Sequence, residues 1–108
     1  MDDVRLPAHV EISALIRRVE AVGGFATVLA KGERDGGTIM IVSCEKGGNF
    51  RAWERMPQAD GRRVWTAIKG ENPDDPGAFT TFIERRRSQD RDLWIVELDV
   101  AEPERFIG

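Results

Sequence analysis

Apolar and polar positions change period several times along the chain, and each change marks an element. Over Ser13 to Val22, Leu15, Ile16, Val19 and Val22 recur at helical spacing while Arg17, Arg18 and Glu20 fall mostly elsewhere, which predicts an amphipathic helix. Ser13 is a candidate N-cap, and Gly23 suits the left-handed position after the last turn. Just upstream, Val10 and Ile12 alternate with His9 and Glu11; this stretch reads either as a short strand or as an earlier start of the helix, after Pro7. Paired glycines at Gly23-Gly24, Gly36-Gly37 and Gly47-Gly48, followed by Asp60-Gly61, then punctuate the chain about every dozen residues, the rhythm of a β-meander.

Four strands fit between these turns. The first is Phe25 to Lys31, with Gly32 to Gly36 as its hairpin loop. The second is Thr38 to Cys44, whose run Ile39-Met40-Ile41-Val42 suits a central strand covered on both faces. Asn49 to Met56 and Arg62 to Lys69 are more polar and belong nearer an edge. The acidic loop Glu71 to Gly77 leads into a second helix, with Asp74 or Asp75 as cap and Pro76 in the first turn. Phe79, Phe82 and Ile83 form its buried stripe, Arg85, Arg86 and Arg87 oppose the helix dipole in its last turns, and it ends near Gln89. Asp92 to Asp99 is a last strand, apolar enough to be central, and the tail from Ala101 docks through Phe106 and Ile107. The order (β)αββββαβ predicts a single α+β domain over 1–108. Its mainly antiparallel sheet has five or six strands, with both helices on one face in two layers.

Composition narrows the function classes. A net charge of −3 from 16 basic and 19 acidic residues argues against a sequence-independent DNA binder, which draws its affinity from phosphate neutralisation. The basic residues are nearly all Arg, the side chain suited to forked contacts with carboxylates and phosphates. One Cys and one His exclude zinc fingers, internal disulfides and His-based metal triads, and the lone Cys44 suits the reducing cytoplasm. Met1 to Pro7 has no apolar core of a secretory signal, and the longest apolar run is far too short to span a bilayer.

Several segments together resemble a known family. Ile12-Ser13-Ala14-Leu15-Ile16-Arg17-Arg18-Val19-Glu20 leads into Gly23-Gly24-Phe25-Ala26-Thr27-Val28-Leu29; Lys31 to Gly37 follows, and Asp90-Arg91-Asp92-Leu93-Trp94-Ile95-Val96-Glu97 comes near the end. Over nearly its whole length the chain is similar to the bacterial domain-of-unknown-function family numbered 1491. That resemblance implies a small stand-alone cytoplasmic protein. It implies no activity, cofactor or catalytic residue.

The candidate chemistry is sparse. A Cys44–His9 dyad is the one nucleophile–base pair available, against a small buried hydrophobe at Cys44. Asp90, Asp92, Glu97 and Asp99 could approach a hard cation, but Glu97 shares a strand face with Leu93 and Ile95, and a partly buried acid needs a partner. Arg86, on the helix stripe with Phe82 and Ile83, is the economical one, with Arg17 or Arg18 as alternatives. The loop around Arg34 lacks both the Gly-Lys-Ser/Thr ending of a P-loop and dinucleotide spacing, so it reads as a charged tip and a contact surface, and no cofactor is implied. In the third strand Arg51, Trp53 and Arg55 share one face. If the helices cover the other, these residues and Trp65 form an outward surface for a protein partner or a second copy through an exposed strand edge. A nucleic acid or anion, bound by stacking and Arg pairing, is the alternative. The Arg85-Arg86-Arg87 run with Arg91 spreads around its helix and faces an acidic tail, so mutual neutralisation explains it.

Overall fold

Pro7 sets where the first helix begins. Its φ of −53° presets the entry, and the structure, a computed structural model describing residues 6–107, runs α1 from Ala8 to Ala21. Val10 and Ile12 therefore lie in the helix, so of the two readings of this stretch the start after Pro7 holds. The reading of the first five residues lies outside the described ones. Ala8, Ile12, Leu15 and Val19 recur on one side and are buried. No side chain caps the N-terminus; the Ala8 and His9 amides instead donate to the carbonyls of Asp35 (3.0 Å) and Arg34 (3.1 Å), so a distant loop satisfies the helix end.

The remaining elements are β1 (Phe25–Ala30), β2 (Ile39–Glu45), β3 (Gly48–Pro57), β4 (Arg63–Gly70), α2 (Pro76–Gln89), β5 (Trp94–Asp99) and a 3-10 turn at Pro103–Phe106. They form an α+β domain whose five-stranded sheet has the order β1-β5-β2-β3-β4. The pairs β1–β5, β2–β3 and β3–β4 are antiparallel and β5–β2 is parallel. The tight turns at Lys46-Gly47 and near Gly61 use left-handed backbone, as their glycines suggest, and make true hairpins. The first expected hairpin is not one: β5 stands between β1 and β2. Val96 and Leu98 face one layer and Leu93 and Ile95 the other, and a strand apolar on both faces is stable only inside the sheet.

The same alternation corrects the expected two layers. Ile39 and Ile41 pack with the α1 stripe, Trp94, Val96 and Leu98, whereas Met40 and Val42 pack with Ile95 and with Phe79 of α2. The helices lie on opposite faces, because either face left bare would expose buried positions of β2 and β5 to water. The tail docks as expected: Ile107 is buried and Phe106 packs beside it on the α1 side.

The β1–β2 connection must cross the end of β5, and two glycines permit it. The Glu33 amide donates to the Asp92 carbonyl (3.0 Å), the Trp94 indole Nε1 donates to the Glu33 carbonyl (2.6 Å), and the Trp94 amide donates to Thr38 (2.8 Å). A Cβ on Gly32 would lie 2.1 Å from the Asp92 carbonyl oxygen, and one on Gly37 2.5 Å from it. At Gly36 the nearest atom would be 3.5 Å away, at the end of the Glu33 side chain. Gly32→Ala should therefore cost about 2–3 kcal/mol in denaturant unfolding, whereas Gly36→Ala should stay within about 1 kcal/mol of the parent; equal effects would contradict the close crossing.

Candidate functional site

The alternating geometry of β3 does place Arg51, Trp53 and Arg55 on one face with Trp65, as the sequence suggests. That face is the one α1 covers. Trp53 is only 9% exposed, and its indole Nε1 donates to the Ser43 hydroxyl at 2.8 Å. The Arg51 guanidinium lies 5.0 Å from the Trp53 ring centroid and donates to Glu104 in the 3-10 turn at 2.7 Å. The Arg55 guanidinium lies 4.6 Å from the Trp65 centroid and pairs with Glu11 of α1. The expected outward surface is thus an internal brace, in which each Arg stacks on a Trp and ties the sheet to a covering segment. Arg34 is exposed at the loop tip, and its carbonyl accepts from the His9 amide (3.1 Å) and faces His9 Nδ1 (3.0 Å), so the tip's backbone is engaged with α1.

The expected Arg86–Glu97 pair is replaced by Arg86–Glu54. Both acids lie on the α2 side of the sheet, but at different distances along the helix. Glu97 pairs in register with Val42 and lines a cavity with Phe79 and Thr80, about two helical turns before Arg86. Glu54, on β3, lies beside the end of α2 and takes the guanidinium. Arg17 and Arg18, the alternatives, are exposed on the opposite side, and Arg18 stacks on Phe106 at 5.6 Å.

Glu97 consequently stands over a groove between the first half of α2 and the sheet. The groove encloses about 340 Å3. Leu29, Val42, Phe50, Phe79 and Ile83 supply its apolar walls, and Glu71, Glu84 and Glu97 supply three carboxylates with no basic residue in the lining. Glu71 accepts from the Phe50 amide at 3.3 Å. Among the described residues Glu84 and Glu97 form no ion pair. Sequence reasoning found Glu97 but missed Glu71, Glu84 and Leu29. The usable signal was the period of α2, in which Thr80, Ile83 and Glu84 share a side.

The other candidates separate. Cys44 continues the Met40–Val42 face toward α2, while His9 sits on α1 across the sheet, so the two cannot form a dyad. The Asp99 carboxylate accepts from the amides of Lys46 (2.7 Å) and Gly47 (3.2 Å), and Asp90 accepts from the Asp92 amide (3.0 Å). Among the described residues no three acidic, His or Cys side chains gather to hold a metal ion. Burial, reinforced by the charges of Asp99 and Glu97, pushes the Cys44 thiol from 9.0 up to about 11. Below pH 9 both folded and unfolded chains keep the proton. Between the two values only the unfolded chain releases it, so stability falls as pH rises. Urea unfolding at pH 8 and pH 10.5 should show a larger loss for the parent than for Cys44→Ala; equal losses would contradict the buried, protonated thiol.

Comparison with known proteins agrees with this architecture. A DUF1491 family protein from Caulobacter crescentus CB15 has a crystal structure that matches with a TM-score of 0.78 at 30% identity, over 95% of each chain. An NMR structure of a DUF1491 family protein from the same organism matches with a TM-score of 0.78 at 27% identity, covering 97% of this chain and 94% of the other. A solution structure of a protein from A. tumefaciens matches with a TM-score of 0.74 at 31% identity, covering 96% and 93%. No curated protein matches the chain. The family profile described as "Protein of unknown function (DUF1491)" matches residues 6–108, and the chain belongs to that family.

Proposed function

We propose that this chain is a non-enzymatic binding module, and that the groove beneath α2 receives a basic, partly apolar segment of a partner protein. The observation that carries this reading is Glu97. It is half-buried, stands beside apolar walls, and has no cationic partner among the described residues. A carboxylate beside apolar walls is stabilised by a cation that shares its partly desolvated position. Among the described residues two other covered acids have one: half-buried Glu11 has Arg55 and buried Glu54 has Arg86, whereas half-buried Glu71 and Asp99 accept from backbone amides instead. For Glu97 the cation comes with the partner. The apolar walls take the hydrophobic side chains flanking the basic one, and Glu84 on the rim adds attraction at longer range.

Chemistry favours a protein over a nucleic acid here. Three carboxylates repel phosphate, and the Arg and Trp side chains that would have paired and stacked on a strand are engaged within the fold. The Cys44 thiol is buried and held protonated, so it offers no nucleophile. A lone reduced thiol suits the cytoplasm. Among the described residues no helix is long and apolar enough to cross a membrane.

The test is an NMR titration with two peptides of equal apolar content, one carrying Arg and Lys and the other Glu in their place. The basic peptide should shift the amides of Leu29, Val42, Phe50 and Ile83. Its affinity should fall about tenfold in the Glu84→Gln/Glu97→Gln variant, a loss of about 1.4 kcal/mol, and should weaken with salt. Equal binding of both peptides, or shifts confined to other surfaces, would overturn the reading.

A further inference from the structure

The sheet opens between two of its inner strands. β3 keeps β4 beside it from Arg51 to Pro57, but its pairing with β2 ends at Trp53, opposite Ile41. β2 begins earlier, at Ile39, and its first residues pair with β5 alone, Ile39 with Trp94 and Met40 with Ile95. Two local features account for the opening. Ala52 pairs with Lys69 and Trp53 with Ala67, so Ile68 is an extra residue in β4. A bulge of this kind bends its ribbon and ends pairing, and this one sits at the level where β3 loses β2. On the other side the Trp94 amide donates to the Thr38 carbonyl (2.8 Å) and holds the start of β2 against β5.

We infer that the resulting cleft is a binding site for the phosphate group of a small phosphate monoester, held by Arg55, Arg63 and Arg86. The cleft encloses about 280 Å3, and these three arginines, from β3, β4 and α2, all line it. Arg55 lies over Trp65 on the α1 face, and Arg63, opposite Pro57, is on that face too. Arg86 comes from α2 on the other side. Only where the strands separate can guanidinium groups from both faces reach one space.

These arginines have donors to spare. A guanidinium carries five N–H groups. Arg55 gives one nitrogen to Glu11 and Arg86 gives one to Glu54, while Arg63 forms no ion pair among the described residues. Arg55 and Arg86 keep about a quarter of their side-chain surface exposed. Among the described residues the one buried side-chain nitrogen without an acceptor is Arg51 Nε, so the remaining donors of Arg55 and Arg86 are open to solvent. Two acids also line the cleft. Glu54 is held by Arg86, and Asp90 accepts from the Asp92 amide at 3.0 Å. Three guanidinium groups against two carboxylates leave the lining net positive.

Donors arriving from three elements suit a group with three terminal oxygens better than a carboxylate, which one guanidinium satisfies with two parallel bonds. Ile39, Met56 and Pro57 supply apolar surface for the organic part of the ester. The site stands independently of the groove reading, since it uses the last turn of α2 and the groove uses the first half of that helix.

NMR titration of the full chain with phenyl phosphate at constant ionic strength tests this. The ester should bind saturably and shift the amides of Ile39, Met56 and Arg63. Arg63→Gln, at an exposed position, should weaken binding about tenfold, the weight of a hydrogen bond to a charged group. Arg85→Gln, which removes the same charge from an exposed position on α2, should leave binding unchanged. Benzoate, which carries the same ring on a carboxylate, should bind at least about tenfold more weakly. Inorganic phosphate should displace the ester only at higher concentration, because it lacks the ring that packs on Met56 and Pro57. Shifts that do not saturate, equal losses in the two variants, or benzoate or inorganic phosphate binding as tightly as the ester, would each overturn the inference.

Discussion

Strand β5 is apolar on both faces, and the rest of the fold is arranged to keep both faces dry. Because Val96 and Leu98 point one way and Leu93 and Ile95 the other, the strand has to lie between neighbours and beneath a helix on each side. It takes β2, equally apolar, as its parallel partner, and β1 is displaced to the edge. The long β1–β2 connection, the two glycines pressed against the Asp92 backbone, and the capping of α1 by the Arg34 and Asp35 carbonyls all follow from that displacement.

Covering both faces with single helices leaves gaps, and arginine fills most of them. Arg51 and Arg55 place their guanidinium groups over Trp53 and Trp65 and reach acids on the covering segments, while Arg86 reaches from α2 to Glu54 on the sheet. A guanidinium can pack its flat faces against a ring while its edges pair with a carboxylate. To this extent the arginine richness is spent inside the fold. Among the described residues, the covered acid that stays without a partner lies at the β1 end of the α2 side: the Glu97 carboxylate forms no ion pair, with the apolar groove beside it.

Most of the elements were legible in the sequence, because helix and strand differ in period and the glycine pairs punctuate them. The central places of β2 and β5 followed from runs of Ile, Val and Leu without alternation. Two features were not legible. One was the insertion of β5 between β1 and β2, since the connecting segment Lys31–Thr38 carries the glycines of a hairpin but uses them to cross a strand. The other was which face each helix covers. Alternation along β3 correctly grouped Arg51, Trp53 and Arg55, but period alone cannot say whether such a face meets solvent or a helix. Placing both helices on one face made Trp53 look exposed. The runs in β2 and β5 already implied two buried faces and hence two layers of cover, which was the available clue. Glu97 was legible as a partly buried acid, whereas its distance along α2 from Arg86, which pairs with Glu54 instead, was not.

β5 and β2 form the most protected interior of the sheet, with β1 and β4 as its edges. Native-state amide hydrogen exchange measures this directly, strand by strand. The amides of Ile95 to Leu98 and of Met40 to Ser43 should exchange only through global unfolding, while the amides of β1 and β4 that face outward exchange through local opening. Exchange from β5 as fast as from either edge would contradict the central place of that strand and the arrangement derived from it.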